Sequence, residues 1–336
     1  MKAFFSLIFR WVGWLVTALA MGLVFWSIYT SHLIASNAWT DHAILVGLFI
    51  STLVYTLSLF LVSSAWYLLV TSVSNLRISF WDGFSIFAIT SVYRYIPSNI
   101  VHYVGRHTLL RRRGVGHAAA AWGTFAETLL ILLASALVAI LFGAPLLVDR
   151  LIRVTEQHWL SLGVVIGLAS FAVAMVVWFL RNRVNFAELL SQFLRKKVFY
   201  AAVAAFLLYI VARGIAGVAL WSLAVEVLED NKVTLPDLIA VGAAAWTVGY
   251  ITPGASAGLG VREAVTIAAL VALGVPIEGA TMLAIAFRLT TTFADLLFTA
   301  SGWIVRYVIS SPALSYATPM RRRIPANSKP ENRSQV

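Results

Sequence analysis

The stretch "YITPGASAGLGVREA", Tyr250 to Ala264, decides how the rest of the chain is read. It places a proline and three glycines between two apolar runs and follows them with adjacent charges, Arg262 and Glu263. Proline ends a helix, and glycine lets the backbone turn where other residues cannot. In a bilayer such a break leaves polar backbone groups exposed, which is tolerated only where they line a wet or protein-enclosed cavity. A plain kinked helix would need neither the charges nor a second break. A second break is present: "YIPSN" at 95–99 interrupts another apolar region and is followed by Arg106.

The surroundings are those of a membrane. Of the 336 residues, 60% are hydrophobic and 12% charged, against about 25% charged in ordinary soluble chains. Apolar runs long enough to cross a bilayer lie at about 11–29, 43–70, 118–142, 159–180, 199–228 and 278–309. The run after Arg10 is longer than a signal-peptide core and is read as a retained helix. Two further apolar regions, about 84–112 and 237–273, are each split by one of the breaks. Their pieces are half the length of a span, so each region is expected to form a re-entrant hairpin. The absence of cysteine excludes disulfides, thiol catalysis and cysteine-bound metal. The net charge of +11 sits in loops and tails, where it sets orientation and meets anionic headgroups; it does not point to nucleic acid.

Charge also sets a topology. Lys2, Arg10, Arg77, the "RRRG" at 111–114, the five basic residues within 181–197 and the "RRR" at 321–323 fall on the cytoplasmic side. The 30–42 loop has no Lys or Arg, and "EVLEDNKVTLPD" at 226–237 is acidic; both fall outside. The 143–158 loop, with Arg150 and Arg153, is also placed outside and fits least well. The first hairpin then enters from inside and the second from outside, with both termini cytoplasmic. Pro97 and Pro253 are 156 residues apart, as are Arg106 and Arg262. After a four-residue gap, 114–137 aligns with 274–297 at seven identical positions of 24. The fold class expected is an all-α polytopic membrane protein. About six transmembrane helices and two re-entrant helical hairpins form an inverted repeat, an architecture shared by many transporters. Repeat one covers about 43–142 and repeat two about 199–309, within one domain of residues 1–310. Residues 311–336 are expected to be a basic, disordered cytoplasmic tail.

A charge at the bilayer centre costs at least about 2.5–3.5 kcal/mol and needs a reason. The charges at this depth are Arg94, Arg106, Glu127, Arg213, Arg262, Glu263, Arg288 and Asp295. Each could belong to a buried ion pair, and Arg262 and Glu263 could pair with the opposite repeat. Five arginines against three carboxylates nevertheless leave a surplus of positive charge, which water or an anionic ligand would relieve. Arginine suits phosphate through paired hydrogen bonds, and half-helix N-termini also favour an anion. Arg106, Arg262, Arg288, Arg213, Glu127, Glu263 and Asp295 are therefore the candidate binding residues. Pro97, Ser98, Asn99, Pro253, Gly254, Gly258 and Gly260 form the breaks. His102, His107 and His117 are spaced by five and ten, which does not fit a metal site on one helix face. "GLGVRE" lacks the strand–helix setting of a dinucleotide site, and no Ser/His/Asp set is recognisable, so neither cofactor nor enzymatic activity is expected. Most tryptophans, Trp11, Trp26, Trp159, Trp178 and Trp303 among them, read as an interfacial belt.

"PGASAGLGVREA" followed by "GVPIEGATMLAIAFRLT" resembles the second signature of the lysylphosphatidylglycerol synthase transmembrane family, also called the flippase-like domain family. "YIPSNIVHYVGRHTLLRRRGV" with Glu127 is similar to the first, and the resemblance spans about residues 5–310. Two departures stand out. The family often has Glu-Arg where this chain has Glu127-Thr128, and Ala-Ser is inserted in the glycine-rich loop. Fused members carry a soluble aminoacyl-transferase domain, which is not expected in these residues. The resemblance implies translocation of a lipid between leaflets, either an aminoacylated phospholipid or a glycosylated lipid carrier. With the surplus of arginines, an anionic phospholipid or a polyprenyl-linked glycolipid of a prokaryotic cytoplasmic membrane is the expected cargo. The alternatives are an exporter of a small water-soluble anion, an intramembrane lipid-modifying enzyme, and a non-transporting partner of a glycosyltransferase. A groove open sideways to lipid favours the first, and an enclosed polar cavity the exporter.

Overall fold

The computed structural model describes residues 41–74, 78–96, 101–154, 195–228, 233–252 and 256–310, with Gly22 and Tyr29 as isolated positions. The helices expected at 11–29 and 159–180, the charges at Lys2, Arg10 and Arg77, the tail, and Pro97, Ser98, Asn99, Pro253 and Gly254 lie outside the described residues. Every described element is helical: α1 His42–Val73, α2 Phe80–Ser91, a 3-10 turn Val92–Tyr95, α3 Val101–Arg112, α4 His117–Val154, α5 Lys196–Val227, α6 Leu235–Ile251, a 3-10 turn Ser256–Gly258, α7 Val261–Ala272 and α8 Ile277–Ser310.

Four of these are long and apolar enough to cross a membrane, over His42–Val73, His117–Gly143, Lys196–Val227 and Ile277–Val308. They coincide with four of the runs expected from sequence. Large apolar side chains stay exposed along them, including Phe49, Leu53 and Leu57 on α1, Leu207 and Val211 on α5, and Phe293, Leu297 and Ile304 on α8. In water such faces would be costly; in a bilayer they are the solvated surface. The hydroxyls of Thr52, Thr56 and Thr71 on α1 donate back to carbonyls four residues earlier, so they ask nothing of the lipid.

The two split regions form short helices. α2, α3 and α7 have 12 residues each and α6 has 17, about 18 to 26 Å at 1.5 Å per residue, less than the ~30 Å hydrocarbon core. α6 starts on a Thr234–Asp237 capping box with Pro236 in its first turn. α7 starts on Gly260, whose φ of 78° no side-chain-bearing residue adopts easily. The pieces of each region pack on each other, α2 on α3 and α6 on α7. Arg113, just past α3, lies 2.5 Å from Asp82 in the first turn of α2, so the outer ends of the first region meet. Leu238 near the start of α6 and Leu270 near the end of α7 share one apolar cluster.

The packing exchanges elements between the halves of the chain. α1 and α5 form the most extensive helix pair. α2 packs on α8 and α6 packs on α4, so each split region leans on the long helix that follows the other. Ser51 donates to the Ala219 carbonyl at 2.7 Å and Thr299 to the Ala88 carbonyl at 3.1 Å, pinning α1 to α5 and α8 to α2. One apolar cluster gathers Trp66, Phe84, Phe87, Tyr209 and Phe298; another gathers Leu220, Leu223, Leu238, Leu270 and Leu283.

Candidate functional site

Of the eight charges singled out from sequence, Arg106, Glu127, Arg213, Glu263 and Asp295 are buried and Arg94, Arg262 and Arg288 are partly buried; six of the eight form three pairs. Arg106 on α3 meets Glu127 on α4, with Nη1 donating to the two carboxylate oxygens at 2.8 and 2.6 Å. Arg106 is only 1% exposed, and its guanidinium lies 3.8 Å from the Phe87 ring centre, close also to Trp66. Arg94, in the 3-10 turn after α2, lies 3.3 Å from Asp295 on α8, and the Tyr95 hydroxyl donates to the same carboxylate at 2.8 Å. Glu263 on α7 lies 3.3 Å from Arg288 on α8. The Glu263 carboxylate makes no hydrogen bond among the described residues, so this pair is held by proximity of charge alone. Arg288 donates instead to the Ala257 carbonyl, 3.2 Å away, tying the second break to α8.

Arg213 and Arg262 have no carboxylate among the described residues. Arg213, in the middle of α5, is 4% exposed, and its guanidinium carbon lies 4.4 Å from the centre of the Trp246 ring. Arg262, in the first turn of α7, lies 5.7 Å from the same ring centre. The Nε of each is buried and makes no hydrogen bond. Trp246 in turn stacks on Tyr250 at 4.7 Å. An unpaired buried guanidinium is costly; resting on an indole face recovers part of that, of order 1–2 kcal/mol.

The backbone is shaped around Arg262. A Cβ on Gly249 would come within 2.5 Å of Arg262 Cγ, and one on Gly258 within 2.7 Å of Arg262 Nε. Gly258 also has a φ of 70°. Glycine at both positions is therefore what allows the arginine to lie flat between α6 and the second break. Ala257, beside it, takes a φ of 52°, which is unusual for a residue with a side chain.

These groups border two cavities. The larger, about 230 Å³, is lined by Arg94, Arg106, Glu127, Arg213 and Arg262 together with aromatic rings from α1, α2, α3 and α6. The smaller, about 40 Å³, touches Arg213, Arg262, Glu263 and Arg288. Tyr55, Arg213, Trp246 and Arg262 line both, so the two unpaired arginines stand where the cavities meet. Both exceed the ~10–15 Å³ that one water needs. In the lining of the larger cavity, the hydroxyls of Tyr103 on α3 and Tyr250 on α6 are in contact. Thr128 stands 3.2 Å from the first and 3.4 Å from the second. This hydroxyl cluster joins the two split regions.

A family model described as the lysylphosphatidylglycerol synthase TM region matches residues 10–298. The chain belongs to this family. No curated protein and no solved structure matches it. Together with the four apolar helices, membership in the lysylphosphatidylglycerol synthase TM family makes it a multi-pass membrane protein.

Sequence reading placed Arg106 and Arg262 as a matched pair at the site. In the structure Arg106 is neutralised, and Arg213 is the residue that shares Arg262's surroundings. Glu263 pairs within its own half of the chain, whereas Arg94 is the cation that crosses to the other. Trp246, Tyr103 and Tyr250 were not named as site residues, and Thr128 was noted only as a departure from the family pattern. Trp246 had a signal: it lies in the middle of an apolar run, four residues before Tyr250, where a belt tryptophan would lie at an end. Trp303, 55% exposed near the end of α8, fits the belt. His107 and His117 stack, with ring nitrogens 3.0 Å apart, at the turn between α3 and α4, while His102 lines the larger cavity. No group of three or more metal-ligating side chains occurs among the described residues.

Proposed function

We propose that this chain is a lipid flippase that moves an anionic headgroup between leaflets through the cavity at Arg213 and Arg262. One observation carries the reading: two interior arginines, with no carboxylate partner among the described residues, both lie against the Trp246 ring beside a cavity of about 230 Å³. A buried cation pair of this kind is stable only if water or an anion completes it. Arginine recognises phosphate oxygens through parallel N–H donors. The first turn of α7 adds backbone N–H groups that no side chain caps, another electropositive element at the same place.

The split regions are read as re-entrant hairpins of an inverted repeat, α1–α4 against α5–α8. The exchange of packing supports this, since α2 lies on α8 as α6 lies on α4. Hairpins opening to opposite sides would present one headgroup site alternately to each leaflet. The charge pattern of the loops places both termini in the cytoplasm, and the family resemblance points to a prokaryotic cytoplasmic membrane. The role is transport, with no chemistry on the lipid; a glycosyltransferase is a candidate partner if the cargo is a polyprenyl-linked glycolipid.

The test is translocation of a radiolabelled or fluorescent anionic phospholipid in proteoliposomes. Wild type accelerates translocation over protein-free vesicles, and Arg262→Ala abolishes the acceleration. Equal rates for the two proteins would remove Arg262 from the mechanism. Efflux of a trapped water-soluble anion without lipid movement would replace the flippase with an exporter.

A further inference from the structure

We infer that the group taken by this site carries two negative charges, a phosphate monoester or a diphosphate, and that a singly charged phosphodiester is a poor fit. This rests on reading the site as an anion seat and names the class of anion. The first reason is charge balance. Among the described residues at membrane depth, the five arginines are Arg94, Arg106, Arg213, Arg262 and Arg288, and the three carboxylates are Glu127, Glu263 and Asp295. The three ion pairs consume three of each. Arg213 and Arg262 remain, a surplus of two, and both border the same cavity. A monoanion would leave one buried guanidinium unbalanced, the costly condition. A dianion closes the count.

The second reason is hydrogen-bond capacity. Each free guanidinium is a rigid fork of donors. Arg213 and Arg262 both line the cavity, and the Nε of each lacks a hydrogen-bond partner among the described residues, so neither guanidinium is satisfied within the chain described. Two bidentate forks ask for several terminal oxygens in one place. A phosphodiester offers two. A phosphate monoester offers three, and a diphosphate more, spread over adjacent phosphorus atoms. Both guanidiniums lie against the Trp246 ring and line the same two cavities, so one group held there would meet both. The looser pairs do not supply an internal substitute. Glu263 lies against Arg288, and Asp295 is shared by Arg94 and the Tyr95 hydroxyl.

The experiment is native mass spectrometry of the full chain released from vesicles holding equal amounts of phosphatidic acid, a phosphomonoester, and phosphatidylglycerol, a phosphodiester. A parallel arm adds inorganic pyrophosphate. Wild type is expected to retain phosphatidic acid over phosphatidylglycerol by about tenfold, the worth of one further charge-assisted hydrogen bond. Arg213→Gln and Arg262→Gln should each bring the ratio close to parity. Arg306→Gln, near the end of α8 against Trp303 and outside the lining of both cavities, should leave it unchanged and so controls for attraction at the headgroup surface. Equal retention of both lipids by wild type, lost in the Arg262 variant, would overturn the double charge while leaving the flippase reading intact. Retention unaffected by either substitution would overturn both. Pyrophosphate binding that needs Arg213 and Arg262, without retention of phosphatidic acid, would uphold the doubly charged class and move its source from lipid to water.

Discussion

Arg106 and Arg262 hold matching places in the two split regions, 156 residues apart, and the protein treats them in opposite ways. In the first region Arg106 donates to Glu127 at 2.6 and 2.8 Å and is sealed by Phe87 and Trp66. In the second, Arg262 has no carboxylate partner among the described residues, and Glu263, one residue later, turns to Arg288 at 3.3 Å. The polarity is exchanged as well. The first region pairs an arginine on its second short helix with a glutamate on the next long helix; the second pairs a glutamate with an arginine. One residue along a helix is a rotation of about 100°, enough to send the carboxylate to the neighbouring helix and leave the arginine facing the cavity. The lesson is that two segments with the same Pro-to-Arg spacing can divide labour: one locks the helices, the other keeps a charge available.

That division predicts a graded set of effects on stability, measurable by thermal or chemical unfolding of the purified protein in detergent. Glu127→Ala should cost most, about 3–5 kcal/mol, because it strands a fully buried guanidinium. The double variant Arg106→Met with Glu127→Leu should cost less than Glu127→Ala alone, since it removes both charges together. If the single variant were as stable as wild type, Arg106 would have another partner or reach water, and the contrast between the regions would disappear. Gly258→Ala should cost about 1–3 kcal/mol, from the positive φ and the clash with Arg262. It should also reduce lipid translocation, because the arginine is displaced. Tyr250→Phe removes one hydroxyl of the Tyr103–Thr128–Tyr250 cluster and should cost about 0.5–1.5 kcal/mol. A cost well above that would mean the cluster, and not the ion pairs, holds the two regions together. Smallest in stability is Arg262→Gln, because loss of the Trp246 contact and relief of an unpaired interior charge oppose each other, although its transport should be lost. An unfolding cost as large as that of Glu127→Ala would make Arg262 a structural residue like Arg106.

The departure at Thr128 fits the same comparison. Thr128 aligns with Arg288 in the later segment, where the family resemblance leads one to expect arginine. With threonine, the position contributes a hydroxyl to the contact between α3 and α6, and Glu127 is left to neutralise Arg106 alone. A second arginine at 128 would compete for Glu127.

Much of this was legible before any coordinates. The four long helices follow from runs of apolar residues, because backbone groups in lipid must bond within the segment and only helices of that length do so. The interruptions follow from Pro and Gly, and the surplus of two positive charges follows from counting. What could not be read was which arginines form the surplus. Arg106 and Arg262 look equivalent in sequence, and Arg213 sits in an apolar helix with nothing beside it to suggest a partner.

Composition and spacing alone therefore determined the membrane, the long helices, the two interruptions and the net charge that the interior must accommodate, since each depends on local preference or on a sum over residues. Only the tertiary structure decided that Arg213 and Arg262 share Trp246 while Arg106 is sealed against Glu127. The reason is that a charge pair forms between helices far apart in sequence, and its partner is chosen by helix rotation and crossing, which no local pattern records.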